Sequence, residues 1–257
     1  MTAKPLLSAL TAAALMTLAP AAPTLADHHE ADAKTLRDAA PERVLIGTAI
    51  MSRQTEEPRE AELIRTQFNV LTPENEMKPI SVQPERGRFE FDAGDKLVAF
   101  AEANDMEVIG HTLVWHNQAP RFLFEDEQGN PLPRDEALAN MKEHITTVMT
   151  HYKGRIKGWD VVNEAIPDGP GDLRDTPALR AIGDDYILKA FEFAHEADPD
   201  AELYYNDYNI DQDYKRDRAL ALVKRIRDAG LRIDAVGIQG HYLLESPSME
   251  EIRRGVE

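Results

Sequence analysis

Cysteine is absent from the 257-residue sequence, and long apolar runs are scarce. The lack of cysteine excludes a disulfide framework and thiolate catalysis, so stability must come from packing. The one long apolar run, Leu6 to Leu18, is short for a bilayer span and is followed by Pro20 and Pro23. No glycine-rich phosphate loop follows the first predicted strand, which argues against nucleotide binding.

Positive charge is also scarce, with 29 Lys and Arg against 46 Asp and Glu, which gives a formal net charge of −17. A surface of this sign disfavours nucleic acid and anionic membranes as partners. It is compatible with a neutral or cationic ligand. The composition therefore excludes classes of partner without naming a ligand.

The N-terminal segment has the organisation of a secretory signal. A charged start and the apolar run are followed by Thr24-Leu25-Ala26, which places small residues at the cleavage positions. We predict a signal peptide over 1–26, a flexible lead-in over 27–40 and a single domain over 41–257. The protein is expected to be secreted, to the periplasm or the medium, without membrane contact after cleavage.

Beyond this segment, β-rich runs alternate with helical patterns. Strands are predicted at Val44–Ile50, Phe68–Leu71, Val108–Trp115, Ile156–Val162, Leu203–Tyr205 and Ile233–Ile238. Apolar residues recur at helical spacing between them, as in Leu97, Phe100 and Ala101; Met141, Ile145, Val148 and Met149; and Ala219, Leu222, Val223 and Ile226. The alternation predicts a parallel sheet covered by helices, either an open doubly wound sheet or a closed barrel.

Polar side chains at the strand ends distinguish these two architectures. They crowd the C-terminal ends of five predicted strands: Glu74 and Asn75; His111 and His116; Asn163 and Glu164; Asn206 and Asp207; Gln239 and His241. An open sheet serves its ligand from a few strands, whereas a barrel directs every strand end to one central site. The pattern therefore favours an α/β fold of the (β/α)8 TIM barrel type.

The histidines allow a competing interpretation, a metal site formed by His111, His116 and His241. Two histidines five residues apart on a strand point to opposite faces, because side chains alternate with period two. The neighbouring carboxamides suit sugar hydroxyls better than a divalent cation. We expect no metal and no other cofactor.

Five segments, taken in order, resemble glycoside hydrolase family 10, the endo-1,4-β-xylanases. They are Glu74-Asn75-Glu76-Met77-Lys78, Gly110-His111-Thr112-Leu113-Val114-Trp115-His116, Trp159-Asp160-Val161-Val162-Asn163-Glu164, Tyr204-Tyr205-Asn206-Asp207-Tyr208-Asn209 and Gly237-Ile238-Gln239-Gly240-His241. The resemblance spans Val44 to Glu245. It implies a (β/α)8 barrel, retaining hydrolysis of internal bonds in xylan or xylo-oligosaccharides, and a monomeric enzyme without a protein partner.

The resemblance also implies roles for individual residues. Glu164 matches the general acid/base, and Asn163 matches the neighbour that holds the sugar 2-hydroxyl. Glu74, Asn75 and Lys78 match residues that bind the xylose on the non-reducing side of the scissile bond. The rest of that subsite is matched by His111, Trp115, Gln118, Gln239 and His241.

The chemistry of glycoside hydrolysis requires residues of these types. A carboxylic acid must protonate the leaving oxygen and then act as a base toward water, while a second carboxylate about 5–5.5 Å away attacks the anomeric carbon. Amides and neutral imidazoles bond sugar hydroxyls without adding a competing charge. Trp115 offers an apolar face for a pyranose ring, although packing inside the barrel is an alternative role for it.

The chain departs from the family at its C-terminal end. The family's nucleophile is a glutamate in a Thr-Glu-Leu-Asp-like segment on the seventh strand, and this sequence contains no such segment. After His241 a helix is predicted at Met249–Arg254, capped by Ser246 or Ser248. We therefore expect about six of eight β/α units, with the nucleophile missing from these 257 residues.

Two alternatives stay open from the sequence. One is a catalytically inactive fragment that binds sugar, because only one of the two required carboxylates can be placed. The other is a related β-1,4-glucanase or mannanase, which would differ in substrate but share the mechanism. The Glu74–Lys78 and His111–His116 segments favour xylan over these substrates.

Overall fold

A computed structural model describes residues 35–257, so the predicted signal peptide and residues 27–34 lie outside the described part. Within it, six strands follow one another along the chain. They are Gly47–Ile50 (β1), Val70–Pro73 (β2), Glu107–Trp115 (β3), Gly158–Asn163 (β4), Glu202–Tyr208 (β5) and Ala235–Gln239 (β6).

Helices separate the strands throughout the same residues. They are Leu36–Ala39 (α1), Ser52–Glu56 (α2), Pro58–Gln67 (α3), Pro79–Val82 (α4), Asp92–Ala103 (α5), Arg134–His151 (α6), Pro177–Ile182 (α7), Tyr186–Ala197 (α8), Asp213–Asp228 (α9) and Met249–Val256 (α10), with a 3-10 turn at Arg121–Leu123. None of these helices combines the length and apolar character needed to cross a bilayer. As predicted, Ser248 caps α10 by accepting from the Glu251 amide.

The strands form one sheet in the order β1-β2-β3-β4-β5-β6, and every neighbouring pair is parallel. Consecutive parallel order brings every C-terminal strand end to one side of the sheet. It has no point at which the strand order reverses, which an open doubly wound sheet requires. The prediction of a (β/α)8 barrel with about six units present is confirmed.

The bounds of all six strands differ from the predictions by one to three residues, and β1, β2 and β5 illustrate the differences. Val44 and Leu45 are exposed and precede β1, because pairing with β2 begins only at Gly47. β2 is displaced toward the C-terminus and ends at Pro73, whose missing N–H is tolerated at the end of a strand. β5 continues through its polar residues to Tyr208.

Part of the segment predicted as a flexible lead-in is helical. In α1 the Arg37 guanidinium donates to the carbonyls of Arg65 (3.0 Å) and Asp105 (3.3 Å). These bonds tie α1 to the ends of α3 and α5. The helix α1 is thus hydrogen bonded to the rest of the described chain.

The core is densest around β4, which is buried along its whole length. Trp159 on β4 is 1% exposed and lies across Gly110 of β3, where an added Cβ would come within 2.2 Å of the Trp159 ring. The Tyr152 ring lies 6.0 Å from Trp159, centroid to centroid. Glycine at position 110 therefore makes room for the tryptophan beneath the strand ends.

A buried histidine on α6 makes stability dependent on pH. The His144 ring is 1% exposed, its Nδ1 lies 2.9 Å from the Gln83 amide oxygen, and burial lowers its pKa from 6.5 to about 4. Since the unfolded chain binds this proton more readily, the contribution of His144 is complete above pH 6.5 and is lost as the pH falls toward 4. The full loss amounts to about 3 kcal/mol.

We expect His144→Gln to flatten the dependence of the unfolding free energy on pH between 6.5 and 4. Urea unfolding at several pH values measures this slope. His195→Gln, which changes an exposed histidine on α8, is the matched control and should leave the slope as it is. Equal slopes in the His144 variant and the unsubstituted protein would contradict the prediction.

Candidate active site

Glu164 lies directly after β4, at the C-terminal end of a fully buried strand. Its amide donates to the Asn206 carbonyl of β5 (2.9 Å), so the ladder continues to this residue. Its φ is +56°, in the left-handed region, which costs a residue with a Cβ about 1–3 kcal/mol. Such strain at a strand end is typical of a side chain held in place for function.

Two other strands, β3 and β6, supply donors to the half-buried Glu164 carboxylate. Trp115 Nε1 at the end of β3 donates to Oε2 (2.9 Å), and Gln239 Nε2 at the end of β6 lies 3.3 Å from Oε1. The Trp115 ring is half-buried in the site, not part of the core, and the Lys78 ammonium lies 5.3 Å from its centroid. Both carboxylate oxygens therefore have a hydrogen-bond donor.

A row of neutral polar groups crosses the ends of β4, β5 and β6. The buried Asn163 amide hydrogen bonds with the amides of Asn206 (2.9 Å) and Gln239 (3.0 Å). His241 Nε2 lies 3.1 Å from the Gln239 amide oxygen. The three amides present donors and acceptors without a charge, which suits a polyhydroxylated ligand.

His111 on β3 is held by a carboxylate of the adjacent strand. Its Nδ1 lies 2.7 Å from Asp160 Oδ2, and the two residues are register partners across β3 and β4. Because the carboxylate accepts at Nδ1, the other ring nitrogen is left for a ligand. The pair keeps the imidazole in one orientation.

Residues after β2 form the opposite part of the site. The buried Lys78 ammonium donates to Asn75 Oδ1 (3.0 Å). Glu74 and Gln118 are exposed, and within the described residues neither side chain hydrogen bonds to this group. The Gln118 carbonyl instead accepts from the Ile80 amide (2.8 Å), which ties the loop after β3 to α4.

His116 lies beside the site with an uncharged ring. Burial, followed by the positive charge of Arg174, lowers the pKa of His116. Its Nδ1 is buried and finds no hydrogen-bond partner within the part of the chain that the structure describes. His116 therefore adds no positive charge next to Glu164 near neutral pH.

Two residues of the site were not identified from the sequence. Asp160 orients His111. The sequence feature that could have identified it is a carboxylate inside an apolar strand, opposite a histidine on the preceding strand. Arg174 donates from Nε to the Glu164 carbonyl (2.9 Å). Arg174 lies in an irregular loop without periodicity, so no sequence pattern pointed to it.

The site combines the Glu164 carboxyl group with amides, with a His111 imidazole that the Asp160 carboxylate orients, and with one buried ammonium group. Across residues 35–257, no three His, Asp or Glu side chains are grouped as metal ligands. The arrangement can donate a proton to, or take one from, a ligand whose hydroxyls the amides bind.

Comparison with known sequences gives one family match. The profile of glycosyl hydrolase family 10 matches residues 35–257. Endo-1,4-beta-xylanase A of Xylanibacter ruminicola is 45% identical over 225 residues, which cover 87% of this chain and 61% of the relative. Endo-1,4-beta-xylanase B of Paenibacillus barcinonensis is 45% identical over 213 residues, which cover 82% of this chain and 64% of the relative. The chain thus spans less than two thirds of the length of these relatives.

Solved structures give a concordant result. A xylanase from Paenibacillus barcinonensis, in complex with a conduramine derivative, superposes with a TM-score of 0.83 at 42% identity over 88% of this chain and 68% of that one. A psychrophilic endo-beta-1,4-xylanase of family 10 gives a TM-score of 0.84 at 42% identity over 87% of this chain and 70% of that one.

Proposed function

This chain belongs to glycosyl hydrolase family 10, and from that premise we propose that the protein is an endo-1,4-β-xylanase. It hydrolyses internal β-1,4-xylosidic bonds of xylan by the retaining mechanism, with Glu164 as general acid/base. The observation that carries the proposal is the position of Glu164, at a strand end with donors from β3 and β6 at its two oxygens.

The surroundings of Glu164 support a role in proton transfer. A group that first gives and later takes a proton must stay in one place through both steps. The bond from Trp115 and the backbone bond to Asn206 hold its side chain and its main chain. The neutral His116 ring adds no further cation that would compete for the carboxylate.

We assign sugar binding to the polar groups around this carboxyl. Asn163 holds the 2-hydroxyl of the reacting xylose, and His111, oriented by Asp160, bonds another hydroxyl of the same ring. Lys78 and Asn75 bind on the non-reducing side, together with Glu74. Gln118, Gln239 and His241 complete the wall, and Trp115 supplies an apolar surface. Neutral donors dominate this set, as xylan requires.

The retaining mechanism needs a second carboxylate, and we propose that it lies outside these 257 residues. The buried carboxylates within the strands, Asp160 on β4 and Asp207 on β5, already have partners, His111 and Lys215. The sequence contains no Thr-Glu-Leu-Asp-like segment, and the chain spans 61–64% of two xylanases that it resembles.

Release of reducing sugar from xylan, cellulose and mannan tests the proposal. The 257-residue chain is assayed beside a form continued to the next stop codon of its gene. We expect turnover of xylan by the continued form, and binding of xylo-oligosaccharides without turnover by the 257-residue chain.

Each other outcome contradicts a defined part of the proposal. Turnover by the 257-residue chain that Glu164→Gln abolishes would place the nucleophile within these residues. A preference for cellulose or mannan would make the substrate assignment wrong. Binding without turnover by both forms would identify a sugar-binding protein.

A further inference from the structure

Lys215 on α9 is a fully buried lysine outside the sugar-binding groups. Its side chain is 0% exposed, and its ammonium lies 2.8 Å from Oδ1 of Asp207, which is 0% exposed as well. The same ammonium lies 3.7 Å from the centroid of the Tyr208 ring. A buried ion pair is costly to form, and losing one partner leaves an uncompensated charge in the interior.

The Asp207 carboxylate is the centre of a network that reaches the residues after β4. Its Oδ2 accepts from the Tyr205 hydroxyl and from the Ile166 amide (3.3 Å). The Tyr205 hydroxyl in turn accepts from the Ala165 amide (3.2 Å). Two successive amides after Glu164 thus depend on Asp207, one directly and one through a hydroxyl.

Arg174 donates hydrogen bonds to the backbone carbonyls of residues 164–166. Its Nε donates to the Glu164 carbonyl (2.9 Å), its backbone amide to the Ala165 carbonyl (2.7 Å) and its guanidinium to the Ile166 carbonyl (3.2 Å). The guanidinium also donates to the Tyr208 hydroxyl (2.8 Å), whose ring covers the Lys215 ammonium.

We use the name Glu164 clamp for these hydrogen bonds between the backbone of residues 164–166 and Tyr205, Asp207 and Arg174. The Glu164 amide also donates a hydrogen bond to the Asn206 carbonyl. Together with that bond, the Glu164 clamp satisfies every backbone donor and acceptor of residues 164–166. Glu164 needs this restraint because its φ of +56° is unfavourable for a residue with a side chain.

We propose that Lys215 is a positioning residue for the proton donor. Its ammonium neutralises Asp207, which holds the amides of residues 165 and 166, and it contacts Tyr208, which accepts from Arg174. Through these two contacts the Glu164 clamp keeps Glu164 against Trp115. This role rests on the proposed function of Glu164 in catalysis. Lys215 itself touches neither substrate nor reacting atoms.

The two tryptophans of the chain provide the test. In a ¹⁵N-labelled sample of the full chain, the Trp115 indole N–H reports its bond to Glu164, and the Trp159 indole serves as an internal reference in the core. Glu164→Gln identifies the Trp115 resonance and the direction in which it moves when the charged acceptor is lost. Xylan is not needed, so the outcome is independent of whether the protein hydrolyses it.

We expect Lys215→Met to move the Trp115 resonance in that same direction and to leave Trp159 in place. The Ala165 and Ile166 amides should exchange with solvent at least roughly tenfold faster than in Leu222→Ala, a core variant on the same helix that lowers stability without touching the Glu164 clamp. Lys215→Gln, which keeps a donor for Asp207, should give a smaller change of the same sign and replaces Lys215→Met if that variant does not fold.

A Trp115 resonance at the unsubstituted position, with exchange rates equal to those of Leu222→Ala, would overturn the proposal. Lys215 would then contribute to stability alone.

Discussion

Replacing Glu164 by glutamine will lower xylan hydrolysis by the continued form of the chain about 10²- to 10⁴-fold. Glutamine keeps the shape of the side chain and an acceptor for Trp115, but it can neither protonate the leaving oxygen nor activate water. An aryl xylobioside with a dinitrophenyl leaving group requires no protonation, so its first step should be nearly unaffected. Because the second step still needs a base, the glycosyl-enzyme should accumulate after a burst.

Rapid-quench measurement of the dinitrophenolate burst, together with steady-state release from xylan, checks this expectation. Glu143→Gln on α6 is the matched control, since it changes an exposed glutamate far from the strand ends and should leave both rates as they are. If Glu164→Gln slowed the aryl substrate and xylan by the same factor, the acid/base role would be wrong.

Replacing Trp159 by alanine is expected to lower the free energy of unfolding by about 3–5 kcal/mol. The side chain is 1% exposed, lies beneath the strand ends in contact with Gly110, and packs beside the Tyr152 ring. Removing the Trp159 ring takes away buried apolar surface and creates a cavity between β3 and β4. Urea unfolding followed by circular dichroism measures the change.

Trp115→Ala is the comparison for that experiment. Its ring is half-buried and lies in the site, so we expect a smaller loss of stability together with the loss of the indole bond to Glu164. A larger loss of stability in Trp115→Ala than in Trp159→Ala would reverse the structural roles assigned to the two residues.

Most of the fold could be predicted because the strands of a buried parallel sheet are short apolar runs. The clearest error concerns polar residues that belong to a strand: the sequence predicts that the strand ends at Tyr205, whereas Asn206 and Asp207 are part of β5. In β5, burial alternates from residue to residue, and this period of two continues through both positions. The side chains serve the site while their backbone remains in the ladder.

The site could be predicted where its residues lie in a strand or in the segment that follows the C-terminal end of a strand. Glu164 and Gln239 come from different strands, and parallel order alone brings them together. Arg174 and Lys215 act on Glu164 through backbone carbonyls and a buried carboxylate, and neither kind of contact leaves a periodic signal in the sequence. Such residues are found only when the partners of each backbone group are known.

The consecutive strand order also bears on how the chain folds during synthesis. Each strand pairs with the one synthesised just before it. The longest-range pair at a ladder start, Ile109 with Gly158, waits only for the segment between β3 and β4, which contains the 3-10 turn and α6. A growing sheet can therefore add one strand at a time as the chain leaves the ribosome, and only the outer edge of β1 has to wait for the last strand of a closed barrel. In such an order the growing edge is always the most recently made strand, and β4 brings Glu164 into place before the Glu164 clamp has been synthesised.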